Sequence, residues 1–149
     1  MENSQIISIS VSIASVLMAF VSVVLALWSA NIAKSQKLIN QNMQAIEIWR
    51  EIGKNKEKIF SSHEKLFLVD NYEQAKLVFE KLESFYEDSR NFYEILCYSY
   101  EKGSIEKQYF KEMHKDNLKD FIENSINKEF YTEPTTKYTY TIKVYKKFK

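Results

Sequence analysis

The side chains that could carry chemistry are two histidines, one cysteine and a scatter of carboxylates. His63 and His114 stand far apart, and neither has a partner at a metal-binding spacing such as H-E-x-x-H. The pair His63-Glu64 begins that pattern without its second histidine. Both read as ordinary surface or helix-end residues. Cys97 lies among Tyr and Leu with no base nearby in sequence, which favours a buried structural thiol over a nucleophile. As the single cysteine it permits no internal disulfide, in keeping with reducing conditions. Glu83, Glu87, Asp88, Glu94 and Glu101 have lysines interspersed at comparable spacing, as on solvated helix faces. Two glycines exclude a phosphate-cradling loop. These patterns predict no catalytic residue, no metal ligand and no cofactor, and they argue against an enzyme. An active site assembled from distant residues is the one enzymatic route they leave open.

What must position these residues follows from composition. The 149 residues carry a formal net charge of +1, so a broad basic footprint for nucleic acid is not expected. After an N-terminal anchor is set aside, the remainder suffices for one small domain. Two glycines and one proline favour long helices, and ten Phe and ten Tyr predict a core built largely from rings.

No charged residue lies between positions 2 and 34. Residues 6–33 form an apolar run that as a helix would reach about 42 Å, more than the roughly 30 Å hydrocarbon layer. Only Glu2 precedes the run, and Trp28 sits where a signal peptide would be cleaved, so the segment is expected to be retained. Lys34 and Lys37 follow it and no acid appears before Glu47, which places the bulk of the chain in the cytoplasm and the N-terminus outside the inner membrane. Trp28, Lys34 and Lys37 would then lie at the membrane surface.

Inside this run the small residues Ser8, Ser12, Ser15, Ala19, Ser22, Ala26, Ser29 and Ala33 alternate four and three apart. Eight of the eleven Ser and Ala residues at positions 8–33 fall on that seam. Helices in lipid gain little from hydrophobicity when they associate, so close backbone approach and Ser hydroxyls bonding across the contact must supply the attraction. The period of 3.5 implies a left-handed crossing. The seam is therefore expected to join copies of the chain, the alternative being Ser hydroxyls that face lipid and bond their own backbone carbonyls.

Beyond the span no Gly or Pro interrupts residues 34–52, so the helix is expected to continue. Ile32, Ile39, Met43, Ile46 and Gly53 keep the seam's rhythm, while Leu38, Ala45, Ile48, Trp49 and Ile52 form a second apolar flank suited to joining a bundle. Gly53 with Lys54-Asn55-Lys56 is expected to end or bend this helix, with a shorter segment over 56–69. Asp70-Asn71 reads as an N-cap pair for a helix carrying Ala75, Val78, Phe79, Leu82, Phe85, Tyr86, Phe92, Tyr93 and Leu96. Lys102-Gly103-Ser104 reads as a tight corner, with Ser104 capping the next helix, expected over 104–128. That helix would turn Tyr109, Phe110, Met113, Phe121, Ile122 and Ile126 inward, and Pro134 would stop the chain's helical run.

Membrane helix, polar helix, then Phe92-Tyr93-Glu94-Ile95-Leu96 running into Lys102-Gly103-Ser104-Ile105-Glu106 resembles an uncharacterised family of small single-pass helical proteins from bacteria and their phages. The similarity covers most of the chain. It implies a membrane-tethered helical domain in a phage or phage-defence setting, and it brings no catalytic residues.

At the C-terminus Tyr138, Tyr140, Ile142 and Val144 alternate with Thr139, Thr141 and Lys143, a strand-like period of two. Such a tail could pair with another copy, lie against the bundle or fray. Lys143, Lys146, Lys147 and Lys149 could instead rest on the anionic inner leaflet. The expected architecture is all-α: a short external tail over 1–5, a transmembrane helix over 6–33, a cytoplasmic helical bundle over 34–132 and a basic, aromatic, β-like tail over 133–149. Two functions suit it. One is a self-associating membrane-anchored module that binds a cytoplasmic protein partner; the other is an oligomeric, pore-type effector that perturbs the membrane under control of its bundle.

Overall fold

The protein, as a computed structural model, is all-α: α1 (Glu2–Leu68), α2 (Tyr72–Glu101), α3 (Lys107–Glu123), α4 (Lys128–Thr132) and α5 (Thr139–Phe148). The structure describes the backbone of residues 2–132 and 136–149, and the side chains of 15–132 and 136–149. Pro134 lies outside the described residues, as do the side chains of Ser8 and Ser12. No strand occurs among the described residues.

Two compact units divide the chain, residues 1–40 and 41–149. In the first, backbone is helical from Glu2 onward, including part of the expected external tail. Every described side chain there is exposed, among them Val16, Leu17, Phe20 and Trp28. This is a helix long and apolar enough to cross a membrane.

The second unit is built around α2. Asn71 caps it as expected, accepting a 2.8 Å bond from the Glu73 amide, and just past its C-cap Lys102 stands Gly103, the one residue with positive φ among those described (72°). The Ser104 amide closes that end on the Ser99 carbonyl at 2.8 Å. Leu82, Ser89, Tyr93, Leu96 and Tyr100 repeat at helical spacing and are buried, with Cys97 beside them. Phe79, on the same helix, is half exposed.

Gly53 does not end α1, which runs through to Leu68, so the separate segment over 56–69 does not exist. An interior glycine costs a helix about 1 kcal/mol. Packing on either side offsets it, because Ile52 and Asn55 are both buried. The Asn55 amide nitrogen donates to the Phe85 carbonyl and to the Ser89 hydroxyl, fastening α1 to α2. Of the two apolar flanks, Ala45, Ile48, Trp49 and Ile52 join the core, while Leu38 and the rhythm of Ile39, Met43 and Ile46 stay exposed.

The third helix is shorter than expected, and its N-cap is Glu106 rather than Ser104. The Glu106 carboxylate accepts from the Gln108 amide at 2.9 Å and from the Tyr109 amide, which suits the positive end of a helix. Asn124 ends α3 and turns the chain by accepting the Ile126 amide at 3.0 Å, so residues 124–127 are a turn and Ile126 is exposed. Met113 also faces outward, and His114 takes the inward position beside it.

The expectation of a β-like tail is overturned: residues 139–148 are helix α5, docked on α2. Its N-cap residue, Tyr138, supplies no capping side chain. Glu94 of α2 performs that role, accepting the Tyr140 amide at 2.9 Å, the Thr141 amide at 2.8 Å and the Thr141 hydroxyl at 2.7 Å. Two turns further along α2, Glu101 holds Lys143 at 2.7 Å and also Lys147. These ammonium groups lower the Glu101 carboxyl below its usual range. Tyr138, Thr141 and Val144 are buried, so the alternating sequence takes the helical period once α2 caps it.

Candidate functional site

The small-residue seam lies within α1, and the side chains of Ser15, Ala19, Ser22, Ala26, Ser29 and Ala33 are exposed. Ser22 donates its hydroxyl to the Met18 carbonyl at 2.8 Å, the local back-bond that the four-residue spacing permits. Trp28, Lys34 and Lys37 are exposed. Of the C-terminal lysines, Lys143 and Lys147 are engaged by Glu101, Lys149 lies over the Tyr145 ring and Lys146 is exposed.

Cys97 is fully buried, and desolvation raises its thiol far above the ordinary range. It is a neutral core residue. His114 corrects the sequence expectation of a surface position: it is 2% exposed, against Trp49, Tyr109 and Phe110. Neither ring nitrogen has a partner among the described residues, and burial lowers its pKa to about 4. No group of three His, Cys, Asp or Glu able to hold a metal ion occurs among the described residues.

A concave site forms where α1, α2 and α3 meet, a cleft of about 400 Å³. α1 lends Ile52, Lys56, Ile59, Phe60 and His63, at helical spacing; α2 lends Tyr86, Ser89 and Tyr93; α3 and the turn after it lend Asn117, Asp120, Phe121, Asn124 and Asn127. Ile52, Ser89, Tyr93 and Asn127 are buried, whereas Lys56, Phe60, Asn117, Asp120 and Asn124 are exposed at the mouth. The walls therefore mix rings and isoleucines with amides, one acid and one ammonium.

Most deep polar groups are satisfied. Ser89 accepts from Asn55 at 2.8 Å, and Asn127 donates to the Phe121 carbonyl at 3.1 Å while accepting from Arg90 at 3.4 Å. Arg90 itself is buried with its guanidinium 3.8 Å from the Phe130 ring centroid, a cation–π contact. His63 Nε2 and the Tyr86 hydroxyl are 3.0 Å apart. Tyr93 differs. Its ring stacks on Phe121 at 4.0 Å and meets Trp49 edge-on, yet its buried hydroxyl has no partner among the described residues. Desolvation, with the nearby Cys97 and Asp120, raises its pKa far above the ordinary range, so the group is a proton donor at any physiological pH.

Sequence reading missed this cleft. Its signal was present in part, as polar residues at positions of apolar stripes: Asn55 between Ile52 and Ile59, and Ser89 between Tyr86 and Tyr93. No family model, curated protein or solved structure matches this chain. Function is therefore argued from the chain's own geometry.

Proposed function

We propose that the protein is a membrane-tethered helical module that crosses the inner membrane once, keeps its bundle in the cytoplasm and associates with copies of itself through the Ser/Ala seam. The observation that carries the reading is the stretch over residues 15–33, which is helical and apolar and has every side chain exposed. Such a surface is unfavourable in water and at home in lipid, where a helix satisfies its backbone internally. Lys34 and Lys37 at its end support a cytoplasmic bundle. Confinement to one surface raises effective concentration, so weak contacts with a second copy and a cytoplasmic protein partner become sufficient. The family resemblance suggests a phage or phage-defence setting. Dry packing is favoured over a pore, because no ionisable residue lies within positions 3–33.

The test is cross-linking of the full chain in mild detergent. Wild type should yield dimers or higher species, and Ser15→Leu with Ser22→Leu should abolish them. Unchanged cross-linking refutes association through the seam. Dye entry into expressing cells that those same substitutions remove would replace this reading with the pore-type effector.

A further inference from the structure

We propose that the outward face of α1 over residues 43–67 pairs with the same face of a second copy, as a parallel, left-handed two-stranded coil outside the membrane. The proposal rests on the reading of the chain as a self-associating tether, and it names an interface that the membrane seam does not contain. Three observations carry it.

The first is that α1 has two apolar faces and its own bundle uses one. Ala45, Ile52, Asn55 and Ser62 are buried, with Ile59 and Leu66 partly buried beside them. At about 3.6 residues per turn, Met43, Ile46, Phe60 and Phe67 lie on the other side of the helix, and they are exposed, from 39% at Ile46 to 89% at Phe67. A row of large apolar side chains left in water marks an interaction surface.

The second is the spacing of that face, which decides what kind of body can cover it. Positions 43, 46, 50, 53, 57, 60, 64 and 67 alternate three and four apart, and every second one in turn carries Ile46, Gly53, Phe60 and Phe67. A seven-residue repeat slips about 20° per heptad around a straight helix, so about 60° from Ile46 to Phe67. A flat surface loses such a line. Another helix, wound left-handedly about α1, keeps it covered.

The third identifies that helix as another α1. Counting back from Met43 in sevens reaches Gln36 and then Ser29, Ser22 and Ser15, one edge of the seam. Copies held in one membrane point the same way, so like heptads meet like. Arg50, Glu57 and Glu64 fall between the apolar layers and face their own counterparts, a like-charge cost. That cost keeps the coil too weak to form without the tether, whose confinement raises the effective concentration.

The experiment is disulfide cross-linking of the full chain in membranes from expressing cells, with one cysteine added at a time. Wild type, whose single thiol Cys97 is buried, is the blank. Ile46→Cys and Phe60→Cys should each give a linked species of twice the chain's mass, whereas Glu51→Cys, exposed on a different side of the helix, should not. Adding Phe60→Glu and Phe67→Glu should remove the Ile46→Cys link. Gly53→Leu should raise its yield severalfold, because a side chain there meets nothing in its own chain and leucine suits that layer of a coil. Replacing an interior glycine also favours the helix, so lost folding cannot imitate that result. The proposal is overturned if Ile46→Cys and Phe60→Cys stay monomeric while chemical cross-linking of wild type still yields dimers, an outcome that leaves the seam standing. It is overturned as well if Glu51→Cys links as strongly as Ile46→Cys, if Gly53→Leu leaves the yield unchanged, or if the linked species has another mass, which would give this face to a different protein. Ile46→Cys links that persist with Ser15→Leu and Ser22→Leu would uphold this face and refute the seam.

Discussion

Residues 15–40 and residues 41–149 are both helical and nearly free of Gly and Pro, yet they dispose of their side chains in opposite ways. In the first stretch Val16, Leu17, Phe20 and Trp28 are all exposed, and Ser22 turns its hydroxyl back to its own helix. In the second, rings and aliphatics close into a core around α2, and polar side chains bond from one helix to another: Asn55 to Ser89, Glu94 to Thr141, Glu101 to Lys143. A helix surrounded by lipid needs no such cross-links, since its backbone bonds are internal and its side chains match the solvent. A bundle in water instead bonds most of the polar groups it buries. On the membrane-tethered reading proposed above, the difference is one of solvent rather than of backbone.

The same substitution in both regions gives the largest contrast. Leu96→Ala opens the core and should cost about 2–5 kcal/mol in denaturant unfolding of the bundle. Leu25→Ala, at a position 53% exposed, should leave bundle unfolding unchanged. A loss of bundle stability in Leu25→Ala would break the distinction between the regions.

Acid provides the next. His114 titrates near its ordinary 6.5 when unfolded and at about 4 when folded, so the unfolded chain binds the extra proton between those values. Stability from this residue is complete above pH 6.5 and falls as pH drops toward 4, by about 3 kcal/mol in all. His114→Phe should flatten that part of the pH profile relative to wild type. An identical slope in the variant would show that carboxylates alone set it.

Glu94→Ala should have a smaller and more local effect, about 2 kcal/mol, because it removes charge-assisted bonds to the start of α5. Hydrogen exchange at residues 140–148 should accelerate while exchange within α2 changes little. Protection of α5 retained in the variant would mean that burial of Val144 and Thr141, not the cap, holds the helix.

Legibility followed the range of the interaction. Asn71, Gly103 and the stripe from Leu82 to Leu96 act within a few residues of themselves, so the sequence displayed them. The buried thiol of Cys97 was equally readable from its apolar neighbours. Met113 and His114 were misassigned because a helix face is fixed by what packs on it, and hydrophobicity alone chose the wrong neighbour. Asn55 is not apolar at all, yet its bonds to Phe85 and Ser89 fasten α1 to α2 just past Gly53. Of the cleft between α1, α2 and α3, the sequence displayed single residues without the contacts that assemble them.

Composition and spacing alone determined that this chain is helical, that its N-terminal stretch is apolar beyond the needs of a soluble core, and where α2 begins and ends. Each depends on propensity, period or a cap within one or two turns. Tertiary structure decided that residues 139–148 are a helix, which flank of α1 is covered, that His114 is buried, and that Tyr93, Asn117 and Asp120 share a cleft. Those outcomes rest on pairs separated by tens of residues, such as Glu94 with Thr141, whose energies exceed the local preferences they override.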